Sequence, residues 1–132
     1  MKKKVLVLCG GISKERLISL ETGKEVLKEL KKKKYKAITS EPDESLFRNI
    51  KSFKPDVIFN ALHGQFGEDG YMQAILESQK IPYTHSGVIA SSIAMDKEVS
   101  KEIFFQSKIL TPKFIKYKYS QNEKNIIRKI DT

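Results

Sequence analysis

His63 stands in the stretch Ala61 to Ala74, A-L-H-G-Q-F-G-E-D-G-Y-M-Q-A, beside the acids Glu68 and Asp69 and the glycines Gly64, Gly67 and Gly70. An imidazole, adjacent carboxylates and repeated glycines are the materials of a ligand site. Glycine lets the backbone adopt positive φ and pass close to a bound group. A second such stretch, Gly10-Gly11-Ile12-Ser13-Lys14-Glu15, lies near the N-terminus. It looks like the first turn of a dinucleotide fold. However, the G-x-G-x-x-G fingerprint needs a third glycine and room for an anion where the helix starts. Lys14-Glu15 fills that place, and Glu15 puts negative charge where a pyrophosphate would sit. That is wrong for phosphate and right for an ammonium group. Together the two stretches offer a carboxylate (Glu15) and an imidazole (His63), the pair that a zwitterionic amino acid wants.

Each residue also has a plain structural reading. The 63–70 loop is equally a well-capped strand-to-helix turn. Taken alone, Glu15 reads rather as a carboxylate that suits the helix dipole, and a lone histidine at a strand end, such as His63, is more often structural. Glu68 and Asp69 as metal ligands is the weaker reading, because adjacent acids on a loop point different ways and Mg²⁺ sites usually recruit substrate phosphates too. Asp69 is expected instead to be the N-cap of the next helix. Cys9 has no neighbouring base in the sequence and reads as a small buried hydrophobe rather than a nucleophile. No Ser-His-Asp arrangement and no P-loop stands out.

The elements that position these residues follow from hydrophobic period. Lys4 to Leu8 is a short apolar run, as expected of a strand buried on both faces of a parallel sheet. Ser13 is expected to cap a helix whose apolar positions are Leu17, Leu20, Val26, Leu27 and Leu30, and which closes in the run Lys31 to Lys34. Tyr35 to Thr39 is a second strand. Pro42 and Asp43 open a helix through Leu46, Ile50 and Phe53. Val57 to Leu62 is a third strand, and it delivers His63 to the carboxyl end of the sheet, where open α/β sheets place their ligands. Met72, Ile75 and Leu76 mark the next helix. Ile81 to Thr84 is a short strand, and Pro82 within it argues for an edge or a strand start. Helical patterns run through Ile93 and Met95 and from Asp96 to about Ile109, broken by Pro112. A further strand is expected at Lys113 to Tyr119 and a helix at Asn122 to Ile130. Strand and helix alternate four times, which is the α/β signature. The right-handed crossover rule gives a three-layer, Rossmann-like domain: a small parallel sheet with helices on both faces.

With 132 residues, 39% hydrophobic and 31% charged, the chain is long enough for one ordinary core and reads as a soluble globular protein. Its apolar runs are too short to span a bilayer, and Met1-Lys2-Lys3-Lys4 is followed by a strand-length stretch rather than a signal-peptide core. One cysteine rules out a disulfide framework, and a reducing, cytoplasmic setting is the expectation. The net charge of +9 raises the possibility of a nucleic-acid partner. Nearly all of that charge is lysine, since arginine occurs only at Arg16, Arg48 and Arg128. No aromatics interleave with the densest run. A solvated lysine surface is the better reading, with neither nucleic acid nor membrane as a partner.

At this point the motifs carry a resemblance. His63-Gly64-Gln65-Phe66-Gly67-Glu68-Asp69-Gly70-Tyr71-Met72-Gln73-Ala74 matches, without a gap, the N-terminal signature H-G-x-x-G-E-D-G of D-alanine–D-alanine ligases. Gly10 to Arg16, followed by Ile18-Ser19-Leu20, resembles that family's G-G-x-S-x-E-R-x-[VI]-S-L segment. Ser86-Gly87-Val88, Ala90-Ser91 and Met95-Asp96-Lys97 resemble its S-G-V-x-A-S…M-D-K segment. The three motifs cover the chain to about Lys101, and Ser107 to Phe114 continues more loosely.

The resemblance implies enzymes that join two D-alanines for peptidoglycan synthesis, with ATP and Mg²⁺, on an ATP-grasp fold. It implies that residues 1–96 are the N-terminal (pre-ATP-grasp) domain and that 97–132 begin an ATP-grasp domain. It places Glu15 at the ammonium of the first D-alanine, His63 and the adjoining Gly64 at its carboxylate, and Lys97 toward the ATP phosphates. It places the Mg²⁺ ligands beyond Thr132, with none in this chain, and makes a homodimer and the remainder of a ligase chain the expected partners. Alone, residues 1–132 are expected to be inactive. The alternative is a non-catalytic amino-acid-binding or assembly module of the same fold. His85 departs from the family pattern by standing where glycine is usual.

Overall fold

In the computed structural model, which describes residues 2–116, three parallel strands lie in the order β2-β1-β3. They are β1 (Lys4–Leu8), β2 (Lys36–Ser40) and β3 (Val57–Asn60). β1 is central: Val5 pairs with Ala37 on one side and Val57 on the other, and Leu8 with Ser40 and Asn60. This is why its apolar run is continuous. With neighbours on both edges and helices on both faces, every position from Val5 to Leu8 is buried.

Successive side chains of a strand point to opposite faces, so β1 feeds two cores. Leu6 and Leu8 pack with Ile58, with Leu46 and Ile50 of α2 (Ser45–Phe53), and with Met72 and Leu76 of α3 (Tyr71–Ser78). Val5, Val7 and Cys9 pack with Ala61 and with Leu20, Val26 and Leu30 of α1 (Arg16–Lys32). Each fully buried aliphatic contributes about 1.5–3 kcal/mol. The result is the expected three-layer α/β arrangement, with α1 on one face and α2 and α3 on the other.

Several elements differ from the sequence reading for identifiable reasons. Leu17, assigned to the apolar stripe of α1, is 76% exposed, while Ser19 and Gly23 are buried. The helix lies so close to the sheet that only small residues fit its contact line: a Cβ on Gly23 would come within 2.5 Å of Cys9 Cβ. Ser13 does not cap α1. The N-cap is Glu15, without a side-chain cap bond, and the Ser13 hydroxyl instead accepts from Glu15 N at 3.1 Å ahead of the helix. The segment around Ile81 to Thr84 forms a single parallel bridge, Tyr83 to Ile58, rather than a strand. Ile58 N donates to Pro82 O at 2.8 Å and Thr84 N to Ile58 O at 3.0 Å, but Pro82 brings no N–H to extend the ladder.

The chain divides into two compact units, 1–95 and 96–132. The first closes with α4 (Val88–Met95), and the second opens with α5 (Lys97–Gln106). Asp96 caps α5, accepting from Glu98 N at 3.0 Å and Val99 N at 3.1 Å. α5 ends before the expected Ile109. Lys108 adopts φ 56° and Ile109 N donates back to Phe104 O at 2.8 Å, a left-handed stop that precedes Pro112. Residues 113–116 carry no regular structure. The remainder of the expected strand to Tyr119, and the helix Asn122 to Ile130, lie outside the described residues. Among those described, no helix is long and apolar enough to cross a membrane.

Candidate functional site

β1 and β3 are adjacent and parallel, so the loops that leave their carboxyl ends are adjacent too. Ala61 N donates to Leu8 O at 2.8 Å, which carries the pairing one residue past the strands. From there the loops are joined by side chains of α1 and of the turn before it. The hydroxyl of Ser19, fully buried, accepts from Gly10 N at 2.8 Å and donates to Ala61 O at 2.7 Å. The hydroxyl of Ser13 donates to His63 O at 2.8 Å. The hydroxyl of Thr22 lies 3.2 Å from His63 Nε2. His63 is therefore gripped at its backbone by the first loop and at its ring by α1.

Glu15 lies against the turn that follows His63. Gly64 adopts φ +71°, and a Cβ built on it would collide with the Glu15 carboxylate. The carboxylate thus rests against the residue that comes after His63. Beside them, Gly10, Gly11, Ser13, His63, Phe66 and Tyr71 are among the residues that line a cleft of about 190 Å³. Phe66 and Tyr71 meet edge to face there, with ring centres 5.3 Å apart. Glu15 borders Gly64 without itself lining the cleft wall.

The acids of the 63–70 loop are occupied by the loop itself. Glu68 Oε2 accepts from Gly64 N at 2.7 Å. Asp69 accepts from Phe66 N at 2.8 Å and from Tyr71 N at 3.1 Å. Asp69 is thus not the N-cap of α3. That position belongs to Gly70, whose φ of 94° and contact with Ser92 exclude a side chain. Asp69 instead braces the turn one residue earlier. From beneath, Asn60 Nδ2 and Gln73 Nε2 both donate to Gly67 O, at 3.0 and 2.9 Å. Among the described residues no group of three or more His, Cys, Asp or Glu could hold a metal ion.

The Gly10-Gly11 turn is closed to phosphate by a residue that sequence reading missed. Glu41, just past β2, accepts from Gly11 N at 3.3 Å and pairs with Arg16 at 2.6 Å. An internal carboxylate already occupies the N–H that a pyrophosphate would need. Burial first, and then the charge of Glu41, push the Cys9 thiol pKa upward against the weaker opposing effect of Arg16, so its thiolate is disfavoured. Ser19, Thr22 and Asn60 were also missed as site residues. Their sequence signal is faint: Ser19 and Gly23 form an i, i+4 pair of small residues inside an otherwise bulky helix. Lys97 is the first residue of α5, in the second unit.

Comparison with known proteins identifies the family. Residues 38–86 match the family described as D-ala D-ala ligase N-terminus. The D-alanine–D-alanine ligase of Pelagibacter ubique (strain HTCC1062) is 72% identical over 131 residues, which are 99% of this chain and 43% of that protein. That of Carboxydothermus hydrogenoformans is 42% identical over 119 residues, 90% of this chain and 38% of that protein. The crystal structure of the D-alanine–D-alanine ligase from Bacillus anthracis complexed with ATP superimposes with a TM-score of 0.78 at 37% identity, covering 91% of this chain and 41% of that one.

These matches identify the parallel α/β domain, with its glycine loops at the carboxyl edge of the sheet, as a ligase N-terminal domain. Over the length it spans, the chain belongs to the D-alanine–D-alanine ligase family, matching the N-terminal part of its members. It spans about two-fifths of the length of the curated relatives it matches.

Proposed function

We propose that this chain supplies the first-substrate side of an ATP-dependent ligase that joins two D-alanines into D-alanyl-D-alanine for peptidoglycan. The observation that carries the reading is the Glu15 carboxylate resting on Gly64, beside a His63 held at both backbone and ring. Glu15 binds the ammonium of the first D-alanine, and His63 with Gly64 faces its carboxylate. A carboxylate oxygen attacks the γ-phosphorus of ATP, giving D-alanyl phosphate and ADP. The free amine of the second D-alanine then attacks the acyl carbon; as the C–N bond forms the acyl C–O bond breaks, phosphate leaves with its electron pair, and the nitrogen loses a proton. Lys97 faces the ATP phosphates from the start of an ATP-grasp domain that opens in 97–132 and is completed by the remainder of the ligase. Mg²⁺ is the metal this reading calls for, with its ligands supplied by the remainder of the ligase. The setting is cytoplasmic, and a second copy is the protein partner.

The test joins residues 1–132 to the remaining part of the Pelagibacter ubique relative. The chimera should release phosphate only with both D-alanine and ATP, and residues 1–132 alone should release none. His63→Ala and Glu15→Gln should each lower kcat/KM for D-alanine on the order of 10²-fold, in the range of removing a positioned polar group. Turnover by residues 1–132 alone, or a folded chimera indifferent to both substitutions, would overturn the reading. Indifference with D-alanine still bound would favour a non-catalytic amino-acid-binding module instead.

A further inference from the structure

We propose that Thr22 is a positioning residue for His63, fixing the ring so that Nδ1–H, rather than Nε2, is presented to a ligand. The inference rests on the reading above that His63 faces a carboxylate. Its geometric basis is independent of that reading: Thr22 Oγ1 lies 3.2 Å from His63 Nε2, a contact made in a part-buried setting.

Thr22 reaches the ring because α1 is docked with little freedom. One turn before it, Ser19 binds both strand-end loops. One residue after it, Gly23 lets the helix close on Cys9. These two contacts set the rotation and height of α1, and they place the hydroxyl of Thr22 over the strand-end histidine. Ser13 fixes the His63 carbonyl from the other side at 2.8 Å. Among the described residues, Nδ1 takes no hydrogen bond. The ring thus has one nitrogen tied to Thr22 and one without a hydrogen bond among the described residues, and His63 lines the cleft.

The chemistry of the ligand selects the tautomer. A neutral imidazole has one donor nitrogen and one acceptor. A carboxylate accepts only, so the nitrogen facing it must carry the proton. Nε2 is then the acceptor, and the Thr22 hydroxyl donates to it. The Thr22 hydroxyl can donate or accept, so it accommodates this tautomer by donating to Nε2, and the acceptor-only ligand selects it.

Nitrogen-15-labelled chain 1–132 with D-alanine added as the carboxylate ligand tests this, using two-bond proton–nitrogen correlations at a pH where the imidazole is neutral. His85 is the only other histidine and serves as the internal control. His63 should show the Nδ1–H pattern. Thr22→Val, which keeps shape and removes the hydroxyl, should shift His63 toward the Nε2–H form favoured in water and leave His85 unmoved. Thr22→Ser should restore the original pattern. A wild-type chain already in the Nε2–H form, or a folded Thr22→Val chain with an unchanged His63, would overturn the proposal. In the chimera, Thr22→Val should raise KM for the first D-alanine about 10-fold, and Thr22→Ser should not. If Thr22→Val moves the tautomer while His63→Ala leaves D-alanine kinetics intact, Thr22 positions the ring and the substrate reading fails. If His63→Ala is damaging while Thr22→Val changes neither tautomer nor KM, the substrate reading stands and the Thr22 proposal fails.

Discussion

The hydroxyl of Ser19 donates to the carbonyl of Ala61 at 2.7 Å across the top of the sheet, and it accepts the N–H of Gly10 at the same time. One buried oxygen therefore satisfies two backbone groups on two different loops. Both loops carry site residues, so their spacing depends on this contact. Ser19→Ala would leave the Gly10 N–H and the Ala61 carbonyl buried without a partner. We expect a loss of about 2–3 kcal/mol, since each unsatisfied buried group costs about 1–3 kcal/mol. Urea denaturation of residues 1–132 measures it. A loss below about 0.5 kcal/mol would mean that water replaces the hydroxyl without penalty.

Gly23→Ala sets two local effects against each other. Alanine is about 1 kcal/mol better than glycine inside a helix. Against that, the added methyl would sit 2.5 Å from Cys9 Cβ and 2.6 Å from its sulfur. Overpacking of this kind typically costs about 1–3 kcal/mol. Packing should win, and the variant should unfold at lower urea. Cys9→Ala should not rescue it, because the closer clash is with Cβ, which alanine retains.

These two residues also mark the limit of what the sequence made legible. The apolar runs of β1 and β3, the α/β alternation and the glycine loops were all readable, because period and glycine content report them directly. The pairing of Glu15 with the His63–Gly64 turn was readable too, since neighbouring parallel strands bring the loops at their ends together. The contact face of α1 was not. Hydrophobic period selected Leu17, which is 76% exposed, and passed over Ser19, Thr22 and Gly23. Close helix–sheet packing is carried by small residues, and these leave no hydrophobic signal. Glu41 was hidden for a related reason: its partners, Gly11 and Arg16, lie 30 and 25 positions away.

His85 sits at φ +96°, a region that side-chain-bearing residues rarely adopt. Holding such a residue there costs on the order of 1–3 kcal/mol. Glycine relieves that strain but gives back part of it through the greater freedom of the unfolded chain. His85→Gly should therefore stabilise residues 1–132 by about 1 kcal/mol and raise Tm by a few degrees. Calorimetry reads this directly. A lower Tm would show that the imidazole makes a contact worth more than the strain.

Tyr83 donates to Glu77 Oε1 at 2.8 Å, and burial together with that carboxylate pushes its pKa from 10.0 to about 12. Tyrosine is neutral below its pKa. Below pH 10 it is neutral in both folded and unfolded chains, so its contribution to stability is complete there. Between pH 10 and about 12 the unfolded chain ionises first and gains, so the folded state loses that contribution as pH rises. Lysines titrate in the same window, so the informative quantity is the difference between wild type and Tyr83→Phe. That difference should shrink steadily above pH 10. A constant difference would mean that Glu77 and burial do not act on the phenol.

Gly64→Ala tests the contact on which the substrate reading depends. The position requires φ +71°, which alanine tolerates poorly, and the new methyl would strike the Glu15 carboxylate. Glu15 is exposed and can move aside, so the cost to the fold should stay at about 1–2 kcal/mol. The cost to function should be larger, because the carboxylate can yield only by leaving its place beside His63. In the chimera we expect KM for the first D-alanine to rise by at least about 10-fold, with KM for ATP nearly unchanged. Glu15→Ala made together with Gly64→Ala should be little worse than Glu15→Ala alone, because both changes remove the same ammonium partner. If the two losses multiplied instead, Gly64 would be acting through the backbone of the loop rather than through Glu15.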